Sequence, residues 1–286
     1  MRPEDITNTR ELKKQLRLVP GYLVLLLWLV FSIVLIGWII LASLSTTKEV
    51  FSNKLLESGL HIDNYIRVIQ KHKLGVYFMN SILYALSACI GTVLIGAPAA
   101  YVLSRFVFSG RRFLNNTFVL LMSIPSVMLI LPLFKMAAQF RLTGSRLLLI
   151  ILYICLNVPF SIFFLSGFFS TLPKALEEAA EIDGCSPAKA FWCIMFPLAQ
   201  PGIVTLCIIN FINVWNEYFM ALIFANETSM RTVSTGLQAI VQSMKYSGDW
   251  AGLFAGVVVV FLPTFILFIF MSNKIIAGVT GGAVKE

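Results

Sequence analysis

Between Thr171 and Pro201 the chain reads TLPKALEEAAEIDGCSPAKAFWCIMFPLAQP, the longest polar interlude in the second half of the sequence. The spacing predicts a helix that starts near Thr171-Leu172-Pro173, since a threonine hydroxyl caps a helix and proline is tolerated in the first turn. Leu172, Leu176, Ala179 and Ala180 fall on one face of it, with Glu177 and Glu181 one turn apart on the other. Ten residues at 1.5 Å each reach only about 15 Å, half a bilayer, so this helix cannot span. Gly184 is where it stops, because glycine takes the left-handed C-cap conformation at little cost. Ser186-Pro187 then opens a second short helix, which Pro197 is expected to end. The segment reads as a helix–turn–helix with a small-residue face, held at a membrane surface.

On both sides of it lie apolar runs too long for a soluble core. Six spans are predicted, at 20–44, 76–104, 113–139, 147–170, 201–225 and 251–272. The first is far longer than a signal-peptide core and is read as an uncleaved anchor. Pro125 and Pro132 lie inside the third run and Pro159, beside Asn157, inside the fourth. Proline is tolerated in a span where neighbours satisfy the freed carbonyls, so kinked spans in a bundle are expected. The organisation is then a terminal segment 1–19, the first span, a polar loop 45–75, a five-helix core 76–272 with the loop 171–200, and a tail 273–286. The stretch 226–250 reads as a further loop.

Composition agrees. Of 286 residues 58% are apolar and 13% charged, where a globular domain carries about 25% charged. The net charge of +8 is spread between the spans without a basic, aromatic-interleaved face, which argues for lipid and against nucleic acid. Arg2, Arg10, Lys13, Lys14 and Arg17 precede the first span, and Arg105, Arg111 and Arg112 close the second, a density that favours both termini inside. The five cysteines lie within spans or in that loop, so they imply neither disulfides nor, without a nearby histidine, a metal site. No phosphate-binding G-x-x-x-x-G-K-[ST] stretch occurs, and no nucleophile–base pair is recognisable. Any energy input must come from a partner.

Glu178-Ala179-Ala180, Asp183-Gly184, Ile194 and Pro197 resemble the EAA loop of importer-type ABC transporter permeases, with Phe196 where a leucine is usual. Asn80-Ser81, Ala100 to Phe106, Gly110-Arg111, Trp215-Asn216-Glu217-Tyr218 and Gly281 to Lys285 are similar to the carbohydrate-uptake branch, in particular to the smaller six-span permease of the maltose-type importer. The likeness covers about 76–286; the first 75 residues match only in general character. It implies an all-α membrane protein with the type I importer fold and a cytoplasmic coupling loop. It also implies docking of Glu178, Ala179, Ala180, Asp183, Gly184 and Pro197 on an ATPase subunit, and a tail contact there through Gly282, Ala283 and Lys285. The implied assembly has a second permease subunit, two ATPases carrying ATP and magnesium, and an extracytoplasmic solute-binding protein, in a bacterial cytoplasmic membrane. No cofactor is expected on this chain.

The fifth span carries the only polar stripe. Asn210, Asn213 and Glu217 stand at i, i+3 and i+7, with Asn210 and Asn213 about 14–18 Å in from Pro201, near a bilayer midplane. Amides at that depth face a cavity or a neighbouring helix. One reading makes Asn210, Asn213, Trp215, Asn216 and Glu217 a substrate cavity that binds sugar hydroxyls; the other makes the asparagines interhelical bonds and Trp215 and Tyr218 an interfacial belt. The expected function is therefore a permease subunit of an ATP-driven sugar importer working by alternating access. A phosphorylated polyol such as glycerol phosphate is the rival substrate. A self-sufficient secondary transporter would need paired ionisable residues at the midplane, where only asparagines are found, and a membrane enzyme lacks its catalytic pair.

Overall fold

The computed structural model describes the backbone of residues 3–283 and the side chains of residues 18–272 except Lys245. Among the described residues every regular element is helical. The chain forms two compact units, one from residues up to Val68 with Met244–Val258, the other from Ile69–Ser243 with the chain from Val259 onward.

In the first unit α1 (Pro3–Ser43) contains the apolar stretch Leu18–Ser43, long enough to cross a membrane. Its last carbonyls are closed by the buried Asn64, whose Nδ2 donates to the Ser43 and Ser45 carbonyls at 2.9 Å each. Helix α2 (Thr47–Ser52) opens on a capping box, Thr46 and Glu49 each bonding the other's backbone amide. The Glu49 carboxylate also accepts from the Ser58 hydroxyl and amide at 2.6 Å each. Hydrogen bonds from the Ser58 hydroxyl and then the Thr46 amide hold its pKa down at about 2. On α3 (Asp63–Lys71), Arg67 pairs with Asp249 at 3.0 Å. The polar segment expected at 45–75 is thus built from short capped helices.

The second unit is built on α4 (Leu74–Arg105), α7 (Arg146–Thr171) and α11 (Gln200–Asn216). Lipid offers no hydrophobic drive for helices to associate, so close packing of small residues must supply it. On α4, Ala85, Ala88, Ala97 and Ala100 are each fully buried, while Ile90 and Leu94 face outward, more than half exposed. At Gly91 a Cβ would lie 2.3 Å from the Ile154 side chain of α7, so any larger residue there requires Ile154 to shift. Tyr84, Leu149, Tyr153, Met220 and Phe224 fill one core, and Tyr101, Leu165, Phe169, Phe191 and Met195 fill another.

Among the described residues four helices are individually long and apolar enough to span, and two bent pairs bring the number to six if each pair is one span. The third predicted span is one of these pairs. It breaks by 99° between α5 (Arg111–Met122) and α6 (Ser126–Gln139). Pro125 has no amide to continue α5 and forces the residue before it toward extended backbone, whereas Pro132, inside α6, is accommodated. The fifth span is shorter than its expected 201–225: α11 ends at Asn216, and a separate α12 (Phe219–Phe224) follows. The expected loop 226–250 contains α13 (Val233–Ser247). Ser81 caps it by accepting from the Val233 amide at 2.9 Å, while Asn80 Nδ2 holds the Ser229 and Arg231 carbonyls. The last helix, α14, runs Trp250–Ala283.

Candidate functional site

The loop after α7 forms a helical elbow. Thr171 does not cap the next helix, as the sequence suggests; its hydroxyl bonds back to the Phe168 carbonyl at 2.8 Å. Helix α8 (Ala175–Ile182) starts after Pro173-Lys174 and ends in a Schellman arrangement, with Gly184 donating to Glu181 at 3.0 Å and Cys185 to Ala180 at 2.9 Å. Gly184 has φ +74°, and nothing lies within 4 Å of where its Cβ would be. Ser186 then caps α9 (Pro187–Ala190) by accepting from the Lys189 amide. A π-helical turn, Phe191–Met195, and α10 (Phe196–Leu198) continue it, so Pro197 lies inside the second helix and does not end it. That helix meets α11 at 73°.

The inner side of the elbow is fixed and its tip is bare. Phe191 and Met195 are buried, Phe191 against Tyr101 and Phe169 with ring centroids 5.1 and 6.1 Å away. Arg105, 6% exposed, pairs with Glu177 at 3.4 Å and donates to the Leu172 carbonyl, fastening the first part of the loop to α4. Of the predicted docking residues only Ala180 is buried; Glu178, Ala179, Asp183, Gly184 and Pro197 are exposed. Ile182, beside them at the tip, is 86% exposed.

The predicted polar stripe is split by the fold. Asn210 is fully buried and donates to Ser161 Oγ at 3.2 Å, joining α11 to α7. Trp215 is fully buried too, its indole donating to the Val260 carbonyl at 3.1 Å and its ring stacked on Phe211 at 5.6 Å. Asn213 and Asn216 are exposed, Asn216 Nδ2 bonding the Ile212 carbonyl. Glu217 lies past the end of α11, where its carboxylate meets the Tyr153 hydroxyl and the start of α12. Only Asn213 of these residues lines the cleft of about 470 Å³ at the 99° elbow, with Ser126 and Leu133 of α6 and Asn157 and Phe160 of α7. None of the residues lining that cleft is charged. Of the tail positions, Gly282 and Ala283 fall at the end of α14, outside the described side chains, and Lys285 falls outside the described residues.

The sequence that folds into this elbow and bundle matches a known family model. The model for the binding-protein-dependent transport system inner membrane component matches residues 92–273. The chain belongs to that family. Full-length relatives agree with this permease assignment. The chain is 33% identical over 266 residues to the diacetylchitobiose uptake system permease protein of Streptomyces coelicolor, covering 93% of this chain and 88% of the relative. It is 32% identical to the trehalose transport system permease protein of Mycobacterium tuberculosis, covering 90% and 97%, and 32% identical to the trehalose/maltose transport system permease protein of Thermococcus litoralis, covering 96% and 98%. Its fold is similar to that of a chain in a bacterial ABC transporter involved in import of the acidic polysaccharide alginate, with TM-score 0.79, 20% identity and coverage of 91% and 97%.

Several residues that shape this permease are not visible as site residues in the sequence. Arg105 closes a span and reads as a topology signal, while Glu177 reads as part of a solvated face, yet the two form the loop's anchor. Ser126, Phe160 and Tyr153 carry no periodic polar signal. Asn157 beside Pro159 was the one hint, an amide next to a helix irregularity.

Proposed function

We propose that this chain is one of two permease subunits of an ATP-driven importer of a di- or oligosaccharide, working by alternating access. The observation that carries the substrate class is the cleft at the bend between α5 and α6. Amides and a hydroxyl stand there beside Phe160 and leucines, and no lining residue bears a charge. A neutral sugar presents hydroxyls to Asn213, Asn157 and Ser126 and its apolar ring face to Phe160. A phosphorylated polyol would leave its charge without a counter-ion in a site of low dielectric, at a cost of several kcal/mol. The three permeases compared above, whose names concern disaccharide uptake, support the same class.

The 171–200 loop is read as the coupling element. Its tip (Glu178, Ala179, Ile182, Asp183) sits in a cleft of an ATPase subunit, so closure of two ATPases around ATP and magnesium moves the elbow and rocks the spans. The loop and both termini are cytoplasmic in this reading, and a solute-binding protein delivers sugar from the other side.

Uptake by the complete system tests the substrate class, with labelled trehalose, maltose, diacetylchitobiose and glycerol 3-phosphate in parallel. Uptake of one or more of the sugars and none of the phosphate ester is expected. Saturable uptake of glycerol 3-phosphate alone would overturn the reading.

A further inference from the structure

One carboxylate ties together helices that wall the cleft. Glu217 follows the last residue of α11 with extended backbone, φ −65° and ψ 133°, and turns its side chain forward onto α12. Its Oε1 accepts from the Met220 amide at 2.7 Å and its Oε2 from the Ala221 amide at 3.0 Å, so it satisfies donors that the six-residue α12 leaves open. The same Oε2 accepts from the Tyr153 hydroxyl of α7 at 2.9 Å. One turn further along α7, Asn157 Nδ2 donates to the Tyr153 carbonyl at 2.8 Å, and Asn157 lines the cleft. Helix α12 in turn backs α6, with Phe224 against Phe134 at 6.0 Å, and α6 supplies Ser126 and Leu133 to the cleft.

We propose that Glu217 is a positioning residue for transport: its carboxylate, tethered by Tyr153, locks the break between α11 and α12 and thereby sets the spans bearing Asn213, Asn157 and Ser126 against one another as the importer cycles. Its carboxylate accepts from three protein donors and it does not line the cleft, so it acts through the spans and not on the sugar. A carboxylate is required because a glutamine at the same place offers one acceptor oxygen and turns an amine toward the other donors. Charge-assisted bonds to backbone amides are also the stronger kind.

The test uses the whole importer in lipid nanodiscs, carrying Glu217→Gln, Glu217→Asp or Tyr153→Phe. Hydrogen exchange is read at the Met220 and Ala221 amides. ATP hydrolysis is read while titrating the binding protein loaded with whichever of trehalose, maltose and diacetylchitobiose drives uptake. Exchange should rise about tenfold in Glu217→Gln, the worth of a lost hydrogen bond of this kind, and by less in Tyr153→Phe. The maximal stimulated rate per assembled complex should fall about tenfold in Glu217→Gln, with the half-stimulating concentration unchanged. Glu217→Asp, which keeps both oxygens, should recover part of the rate, and Tyr153→Phe should add little to Glu217→Gln. A raised half-stimulating concentration at full maximal rate would make Glu217 a sugar ligand and overturn the proposal. So would unchanged exchange, or fewer complexes each turning over normally. The exchange measurement needs no sugar, so it decides the role of Glu217 even if none of the three sugars is the substrate.

Discussion

The 171–200 elbow and the Asn210–Phe224 break are both interruptions of the helical bundle, but they are held in different ways. The elbow is specified by its own chain. Gly184 at φ +74° ends α8, Ser186 caps α9, and Pro187 starts it. The break is held largely by other helices, although Glu217 also caps α12 locally: Tyr153 of α7 holds Glu217, Ser161 of α7 holds Asn210, and the Val260 carbonyl of α14 holds Trp215. An interruption made by local capping can present a bare tip to a partner. One made by tertiary bonds has its polar groups turned inward, and only Asn213 and Asn216 are left facing outward.

The largest effect is expected where the elbow does depend on another helix. Arg105→Ala leaves Glu177 with its cation removed in a largely buried site, at about 3–5 kcal/mol. Binding-protein-stimulated ATP hydrolysis should be lost while the chain still inserts. Normal stimulation would show that the loop holds itself without α4.

Gly184→Leu comes next. Nothing crowds its Cβ, so the cost is backbone strain alone, about 1–2 kcal/mol. Coupling should weaken without loss of assembly, and Gly184→Asn should be milder because asparagine tolerates this conformation. Equal effects of the two substitutions would mean that side-chain bulk at the tip, not φ, decides the docking.

The two asparagines should separate. Asn210→Leu removes a buried bond to Ser161, about 1 kcal/mol, and should lower the melting temperature of the complex with uptake kinetics near normal. Asn213→Leu should weaken uptake about tenfold with little change in melting, as for one lost sugar hydrogen bond. The reverse pattern would exchange their roles and remove Asn213 from the cleft's chemistry.

The smallest effect lies in the first unit, at Glu49. Its pKa is 4.5 when free and about 2 when folded, so its stabilisation is complete above pH about 4.5 and is lost as the pH falls through about 2. Glu49→Gln should therefore lower the melting temperature at pH 7, and the gap to the parent should narrow as the pH is lowered below 4.5. A gap independent of pH would show that the capping box acts through shape and not charge.

How much of this was legible follows from the range of the forces involved. The six apolar runs, the turn at Gly184 and the cap at Ser186 are properties of a few consecutive residues, so the sequence by itself determined a helical membrane protein with a capped loop and, by resemblance, its family. The resemblance also pointed to Asn80-Ser81, and the structure supplies the reason, which is that the pair tethers and caps the chain leading into α13. A proline's position was readable but its consequence was not. Pro125 breaks its span by 99° while Pro132, seven residues on, rides inside a helix. The helical stripe of Asn210, Asn213 and Glu217 was a sound pattern on a straight helix. Only the tertiary structure ended that helix at Asn216, buried one amide against Ser161, exposed the other to the cleft and turned the carboxylate onto α12. The reason is physical: a polar group in a bilayer must find its partner on another segment, and no local pattern says which segment that is.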